Sequence, residues 1–591
     1  MRSTPVRPEN PNSIEVEAGM TKFEIAAALL EISSLLRLKE KEPFRAKAYA
    51  RAAQALAEAG ANFPELLKQG RLTEIKGIGT SLAGVISELH TTGRAALLEN
   101  LRAEFPRGLV ALSKIGGLTK EKIRTLNAAL GISTLDELKA ALEAGKIREL
   151  AGFGIKSEAA LRDQIAKFEQ PDESILLIDA LRAGERLLEF MRTLEGVERV
   201  DLAGSARRWN ETVSTIRVTA LASSNHAAVV KHFLGFPTIT EVEQKTPDSA
   251  VVRLSEGVRA TMSVASAAEY WNLLHHETGS TSFVTALGRI AGTKGVQLTP
   301  RKLLVVGKRK SLKVESEADI YRHLDMQFIP PEMRDDDSQI KAALAGEIPK
   351  DLIKAEHIKG MVHCHTTYSD GRNSVEEMAL AAQAMGIEYM TITDHSPTAF
   401  YAGGLKVDRL KKQWEEIDRV QERVSIKLLR GTESDILREG GLDYPDNILE
   451  KFDVIIASIH NRYKLDEAAM TKRIINAMKN PLFKIWGHPL GRLVLRRPPI
   501  SCRIEEILDV IAKSRAIIEI SGDPHRLDLE PRWIREARKR RIKFVISTDA
   551  HSISDLGNLK FGIGMARRAG TTSREVLNTR GVGAFRKAVK P

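Results

Sequence analysis

Cysteine is nearly absent: Cys364 and Cys502 are the only two in 591 residues. One pair cannot build a disulfide framework, which excludes the bridge-stapled secreted class and suits a reducing compartment. No apolar run approaches the ~20 residues that span a bilayer, so no membrane partner is expected. The opening stretch, MRSTPVRPENPNS, lacks the apolar core of a signal peptide. Residues 1–19 therefore read as a disordered tail, with Met20 as an alternative start and a cytoplasmic location expected. Acidic residues are the minority charge, 77 against 89 Lys plus Arg, giving +12 and a pI near 9.4. An excess of that size favours a polyanionic partner. The length exceeds what one core can fill, and about three to five domains are expected.

What is present in quantity is histidine and carboxylate at the ends of apolar runs in the last 235 or so residues. His363 and His365 follow KGMV, with Asp370 close behind; Asp394-His395 follow EYMTIT; Glu433 follows KLLRGT. His460 follows VIIASI, His488 follows FKIWG, and Asp549 and His551 close KFVIST. Together with AIIEISG at 516–522 these runs read as seven buried strands, and SVEEMALAAQAMG and RIEEILDVIAKSRA between them read as amphipathic helices. Repeated strand–helix units close into a parallel barrel whose functional residues gather where the strands end. Residues two apart on a strand share a face, so His363 and His365 can grip one ion while Cys364 points away into packing. A lone strand-end histidine is more often a satisfied structural residue than a ligand, and the accumulation reverses that reading. Imidazole and carboxylate without thiolate suit Zn²⁺, Mn²⁺ or Fe²⁺. Clustered divalent ions generate hydroxide near neutral pH and stabilise charge on attacking and leaving oxygens, which makes phosphoester hydrolysis the natural chemistry.

At these residues the sequence resembles the polymerase-and-histidinol-phosphatase (PHP) domain. HCHTTYSDG, TITDHS, GTES, ASIH, GHPLGR, EISGDPHRLDL and STDAHS match it in spacing and order over about 358–591. The resemblance implies a (β/α)7 barrel with up to three metals, liganded by His363, His365, Asp370, His395, Glu433, His460, His488, Asp549 and His551. Mn²⁺ or Zn²⁺ is the expected cofactor, with Mg²⁺ a further candidate. Asp394 and His395 are the candidate catalytic pair, and Arg492 and Arg526 the candidate substrate-holding cations, each with a structural ion pair as its other reading. An Asp common before the first histidine pair is Met361 here, which bears on outer tuning of the metal rather than on ligation.

The first half is helical to begin with. FEIAAALLEISSLL and FRAKAYARAAQALAEA carry apolar residues at three-and-four spacing. LTEIKGIGTSLAGVISEL places Gly77 and Gly79 in a tight hairpin, ELAGFGIKSEAALRDQI repeats the form with Gly152 and Gly154, and LSKIGGLTKEKI, with Gly116-Gly117, is a weaker third. Such glycines let the backbone approach a phosphate, while the following helix offers free amides and its positive end. Contacts of that kind hold DNA without reading bases. The elements resemble the helix-hairpin-helix motif of DNA repair proteins; plain turns in a helical bundle are the other reading.

From 172 an α/β region begins, with ILLIDALRAGERLLEFMRTL leading into ERVDLAGSARRWNETVSTIRVTALAS. With hairpins before and a PHP barrel after, the chain resembles bacterial family X DNA polymerases over nearly its whole length. Gly204, Ser205, Arg207, Arg208 and Glu211 match the family's nucleotidyltransferase lead-in. The three catalytic aspartates of that family do not match: their positions hold Thr215, Arg217 and Thr261. An arginine where a dication should sit costs several kcal/mol even at an effective dielectric of about 20. His276-Glu277, Ser282-Phe283 and the LTP at 298–300 also depart from the family's nucleotide-contacting residues, and Val85 and Ser81 stand where a lyase would keep lysines.

The expected order is a tail (1–19), an 8-kDa-like helix-hairpin-helix domain (20–104), a fingers-like second one (105–171), a degenerate palm (172–265), a thumb (266–332), a linker (333–357) and the barrel (358–591). The fold class is multidomain α/β. The reading is a DNA-binding repair protein, nucleoid-associated, whose barrel acts on gapped, nicked or 3′-end substrates as a metal-dependent 3′-5′ exonuclease or phosphoesterase, with the polymerase site inactive. Two alternatives stay open: an active gap-filling polymerase with an exonuclease, and a non-catalytic DNA-end scaffold.

Overall fold

The structure, a computed structural model, describes residues 20–590 apart from 21, 40–41, 59–62, 76, 105–111, 113–114, 116–117, 151, 155–156, 163–164, 166–173 and 309. The expected tail and the Gly116-Gly117 pair lie outside the described residues. The chain divides near residue 172 into two compact units. Among the described residues, no helix is long and apolar enough to cross a membrane.

The first unit is helical because its apolar residues recur at helical spacing. Ile25, Leu29, Ile32 and Leu36 on Lys22–Leu38 are fully buried against Ala46, Tyr49, Ala53 and Leu56 of Pro43–Glu58. Thr80–Thr92 stops at Gly93, and Lys120–Leu130 at Gly131; each glycine is in the left-handed conformation that closes a helix C-terminus without a Cβ clash. Three hairpins share one hydrogen-bond pattern. Ile75, Ile115 and Leu150 donate to the carbonyls of Leu72, Leu112 and Ile147; Ile78, Leu118 and Phe153 donate to those of Ile75, Ile115 and Leu150; Ala83, Ile123 and Glu158 donate to those of Gly79, Thr119 and Gly154. The described residues of the third hairpin, weak in sequence, share the pattern of the others, and Thr119 caps its helix. Val85 packs partly into the apolar core here.

The second unit opens with the helix Leu177–Arg192, which lies on a five-stranded sheet. In spatial order the strands are Arg199–Ala203, Thr215–Leu221, Arg259–Ala265, Ser249–Leu254 and Ile239–Lys245. Buried residues alternate along Ser249–Leu254, as one covered face requires. Tyr270–Thr278, Thr281–Thr293 and a two-stranded ribbon follow, around a core of Phe283, Leu287, Ile320 and Tyr321. The segment 333–357, expected as a linker, is instead packed. It forms the helix Ser338–Leu344, and Ile340, Ala343, Ile348 and Leu352 enter the same core.

The last part is a barrel of seven parallel strands in chain order: Gly360–Met361, Tyr389–Ile392, Lys427–Asp435, Val454–Ser458, Ile485–Trp486, Ile517–Ser521 and Phe544–Ser547. A parallel bridge between Cys364 and Ala550, past the strand ends, brings first and last together. The interior holds Val362, Leu429, Ile456, Ile485 and Val545, and the C-terminal helix Val582–Val589 joins that cluster through Phe585, whose ring lies 5.0 Å from Tyr389.

Ion pairs tie the palm-like and thumb-like parts together. Glu317, nearly buried, accepts from Arg207 at 2.6 Å and from the wholly buried Arg334 at 2.5 Å. Burial opposes ionisation of Glu317, but the two guanidiniums hold its carboxyl at about 2. Removing one partner of a buried pair leaves the other uncompensated, typically at ~3–5 kcal/mol. Glu317→Ala should therefore lower unfolding free energy by about that much in denaturant titration of the second unit's transition. Because the folded pKa is depressed, the stabilisation is full above the ordinary value of 4.5 and is lost as pH falls from there towards 2. A variant as stable as the parent would refute this account.

Candidate metal centre

Each ligand candidate stands at or just beyond the C-terminal end of a barrel strand, where a parallel barrel collects its function. His363 and His365 follow the first strand, and Cys364 between them is buried in the outer core, its thiol pushed up by burial and by Asp549, as expected of a packing residue. Glu433 and Asp435 lie two apart on the third strand and so share a face. His488 and Asp549 have φ of +23° and +50°, uncommon outside glycine.

The donors converge. Glu433 Oε2 lies 3.5 Å from His363 Nε2, 3.6 Å from His365 Nε2 and 2.9 Å from His395 Nδ1. Its Oε1 lies 3.2 Å from His460 Nε2 and 2.7 Å from His488 Nε2. Asp549 Oδ1 is 3.3 Å from His365 Nε2 and 3.5 Å from His363 Nε2. Asp370 Oδ1 is 3.3 Å from His551 Nε2 and 3.6 Å from His395 Nε2. Three groups have donor atoms within 4.8 Å of one another: His363, His365 and Asp549; His395, Glu433 and His460; and His365, Asp370, His395 and His551.

These residues fit divalent cations on two grounds. His363 Nε2, His365 Nε2, His395 Nδ1 and Glu433 Oε2 are buried without a hydrogen-bond partner, a costly state for polar atoms unless something binds them. Separations of 3.3–3.6 Å are also what two donors ~2.0–2.1 Å from one tetrahedral ion adopt, about 3.3–3.4 Å.

Protonation follows the crowding. Burial, with His551 and His395 beside it, pushes His365 down to about 3, so it is a neutral lone-pair donor. Burial opposes the ionised forms of Glu433 and Asp549, yet the imidazoles around them hold both well below the carboxylate range, and Asp370 is held at about 2. Burial also opposes protonation of His363, His460 and His551, and adjacent carboxylates override it. His363 is raised well above its ordinary value, His460 to about 10 and His551 to about 9.

Not every expected residue joins the donors. The carboxylate of Asp394, expected in the catalytic pair, instead accepts from Thr366 N at 2.8 Å, Thr366 Oγ1 at 2.6 Å, Gln413 Nε2 at 2.6 Å and the Ser369 hydroxyl. It braces the turn that carries His365 and Asp370. His488 reaches the cluster through Glu433 and belongs to none of the three groups. Arg492 is a structural cation: it donates to the carbonyls of Arg526 and Leu527 and pairs with Glu211 and Glu530, each at 3.3 Å. Arg526 does stand at the centre, 3.4 Å from Asp549 Oδ2, with Nε and Nη1 lacking a hydrogen-bond acceptor.

Two residues of consequence escape the sequence reading. Glu519 accepts from His363 Nδ1 at 2.7 Å, Ser547 Oγ at 2.6 Å and His488 N at 2.5 Å, and Asp435 accepts from His460 Nδ1 at 2.6 Å. Carboxylates of this kind fix the tautomer and basicity of a ligating imidazole. Their signals are present in the sequence, Asp435 two residues after Glu433 and Glu519 inside the AIIEISG run. Glu519 also means that Met361 does not leave His363 without an outer carboxylate.

At the nucleotidyltransferase lead-in, Gly204 has a φ of +64° and begins the short helix Gly204–Arg207, which carries Ser205. Arg217 pairs in register with Thr261 on the neighbouring parallel strand, and Thr215 with Arg259. A Cβ on Gly204 would meet Arg217 Cδ at 2.8 Å, and the Arg217 guanidinium binds Glu277 at 2.5 Å. Arg208 donates to Asp335 at 2.7 Å and to the Thr278 carbonyl at 2.6 Å. In the hairpins, Gly77 and Gly152 have φ of +100° and +84°, and a Cβ at Gly79, Gly152 or Gly154 would meet nothing within 4 Å, which leaves that backbone open to a ligand.

Cations entering the barrel centre must displace the protons held on His363, His460 and His551. Mn²⁺ affinity should therefore climb with pH, by up to about tenfold per unit for each proton displaced, and level off only past the values near 9 and 10. Calorimetry in buffers of different ionisation enthalpy should register proton release; binding without it, at an affinity indifferent to pH, would contradict the donor set.

Three family models match: a helix-hairpin-helix domain over residues 20–95, a DNA polymerase beta thumb over 273–335 and a PHP domain over 362–522. The chain is 33% identical over 564 residues to a Bacillus subtilis protein named DNA polymerase/3′-5′ exonuclease PolX, covering 95% of this chain and 98% of that one. A probable phosphatase of Thermoanaerobacter sp. is 31% identical over 246 residues, 39% of this chain and 93% of that protein. Helix-hairpin-helix elements, thumb and barrel thus follow in one chain in the order of a relative matched end to end, and the chain belongs to the bacterial family X DNA polymerases with a C-terminal PHP domain.

Proposed function

We propose that this protein grips DNA by its helix-hairpin-helix backbone and hydrolyses phosphoesters at DNA 3′ ends in the barrel, as a metal-dependent 3′-5′ exonuclease and phosphoesterase. The observation that carries the reading is the set of buried, partnerless donors, His363 Nε2, His365 Nε2, His395 Nδ1 and Glu433 Oε2, beside the Arg526 guanidinium. Divalent ions, Mn²⁺ or Zn²⁺, supply a nucleophile at neutral pH and neutralise phosphate charge when bound. The chain's own residues do the rest. Arg526, ion-paired through Nε to Asp523 and Asp549, brings a positive charge to the centre for a phosphate, Asp370 and His551 hold the more open side, and Asp394 keeps the His365–Asp370 turn in place. The 3′-5′ exonuclease in the name of the Bacillus relative and the phosphatase in that of the Thermoanaerobacter relative both agree with phosphoester cleavage. A purely structural barrel is disfavoured, since burying partnerless donors destabilises a fold that has no ligand for them.

The polymerase named for the Bacillus relative is the competing reading, and Arg217 speaks against it. Thr215, Arg217 and Thr261 supply no carboxylate for Mg²⁺, and the guanidinium stays charged and paired with Glu277. With Mn²⁺ and a labelled single-stranded or gapped DNA, the protein should shorten or dephosphorylate 3′ ends, and His365→Ala or Asp549→Ala should slow this by orders of magnitude while DNA binding persists. The Asp549→Ala protein should add no nucleotide to a primer–template with Mg²⁺ or Mn²⁺. Undiminished nuclease in both variants would overturn the barrel assignment, and robust incorporation by the second would restore the polymerase.

The DNA grip has its own test. A Cβ at Gly79 or Gly154 meets open space, so Gly79→Ala with Gly154→Ala should fold and still keep a phosphate off the hairpins. Affinity should fall about tenfold and depend less steeply on salt, with little change across DNA sequences. Affinity that holds would make the hairpins plain turns.

A further inference from the structure

The mouth of the barrel carries a feature that metal chemistry does not use. Phe400 and Tyr401 are 84% and 61% exposed, although large aromatic side chains are usually well covered. They sit side by side on a single 3₁₀ turn, Phe400–Ala402, with ring centroids 6.0 Å apart at 78°. The loop that displays them is firmly held at the metal centre. It leaves His395 with Ser396 N donating to the Glu433 carbonyl at 3.0 Å and returns with Leu405 N donating to the His395 carbonyl at 2.8 Å. Midway, Thr398 donates from its amide and its hydroxyl to the two oxygens of Asp443. Gly404 lies so close to the Ser396 carbonyl that a Cβ would collide with it, and Gly403 packs beside Ser369.

Tyr401 is within electrostatic reach of Glu433, Asp435 and Asp370, carboxylates that belong to the donor set or border it. A loop pinned at both ends to the backbones of two donor residues, Glu433 and His395, thus presents two largely exposed rings at the barrel mouth. Exposing apolar rings to water costs free energy, and every nucleobase has a face on which such a ring can stack regardless of sequence.

We infer that Phe400 and Tyr401 form a stacking platform that receives a nucleobase of the strand being cut and so sets its terminal phosphoester over the metal centre. The inference rests on the phosphoesterase reading of that centre. The two rings are positioning residues: they touch the base, not the reacting phosphate, and predict tolerance of all four bases with intolerance of a missing one.

The test uses the full-length protein and two readouts. In EDTA, which prevents cleavage, an oligonucleotide ending in 2-aminopurine should lose fluorescence on binding the parent protein, as the base stacks on a ring. Phe400→Ala/Tyr401→Ala should bind without that quenching, and Phe400→Trp should keep it. With Mn²⁺, the double variant should show a KM for the oligonucleotide raised roughly five- to a hundredfold, the range one base–aromatic stack carries, with kcat within about twofold. The parent should prefer a base-bearing 3′ terminus to an abasic one, and the variant should lose that preference. A small chromogenic phosphodiester without a base reports on the centre alone: if the parent protein fails on it and on DNA alike, the phosphoesterase reading falls while the quenching experiment still decides the platform. Equal quenching and equal KM in the folded double variant would overturn the platform and leave the rings as cover for a protein surface.

Discussion

A carboxylate with no exposed surface, Glu433, is surrounded by five imidazoles, those of His363, His365, His395, His460 and His488, all within 3.6 Å. Taking an ionised carboxylate out of water costs several kcal/mol unless opposite charge accompanies it. Here that charge comes from protons on His363 and His460, whose pKa values Glu433 helps to raise against their burial. The centre therefore has two ways to be neutralised, by protons or by divalent cations, and the two compete for the same lone pairs. Outer carboxylates bias the contest. Glu519 and Asp435 take the far nitrogens of His363 and His460, which turns the near nitrogens inward for either occupant.

That centre constrains the barrel around it. Polar donors occupy the C-terminal ends of the strands, so the interior beneath them has to supply the apolar packing. Val362, Leu429, Ile456 and Val545 do so, and Phe585 and Val589 from the final helix join them. Stability and function are thereby separated along the barrel axis, the usual division in parallel barrels. His488 and Asp549 bear the cost locally, each with a left-handed backbone that other side chains rarely adopt.

Much of this is legible from residue order. Apolar runs ending in His, Asp or Glu locate the strands of the barrel, because a buried parallel strand is a short hydrophobic string and its last residues face the mouth. The two strong hairpins are legible through Gly77-x-Gly79 and Gly152-x-Gly154. The third is obscured because Thr119, which caps its helix, stands where the other two have Gly79 and Gly154. Adjacency to His395 suggests a shared task for Asp394, whereas neighbours on an extended chain point to opposite faces, and its carboxylate goes to Thr366, Ser369 and Gln413. The structural role of Arg492 is hidden because its partner, Glu211, lies 281 positions away in sequence. The packed segment 333–357 reads as a linker since only a few apolar residues anchor it and they join a core assembled from distant helices.

The polymerase-like part is joined to the barrel through residues of its nucleotidyltransferase lead-in. Arg208 and Glu211 of the nucleotidyltransferase lead-in now belong to a chain of ion pairs that runs into the barrel. Arg208 binds Asp335, Asp335 binds Arg568 at 2.6 Å, Arg568 binds Glu211 at 3.2 Å, and Glu211 binds Arg492. Trp209, between the two lead-in residues, presses on Gly564 of the barrel helix Leu559–Arg568 so closely that a Cβ there would come within 2.6 Å of the indole. Burial opposes ionisation of Asp335 and Glu211, yet the arginines hold both below the usual carboxylate range, so the network is charged at neutral pH. Cutting any one link would strand a buried charge, a larger loss than the pair's own net contribution. The network alone gives Arg208, Trp209 and Glu211 a structural role in joining this part to the barrel, and Thr215, Arg217 and Thr261 lie outside it.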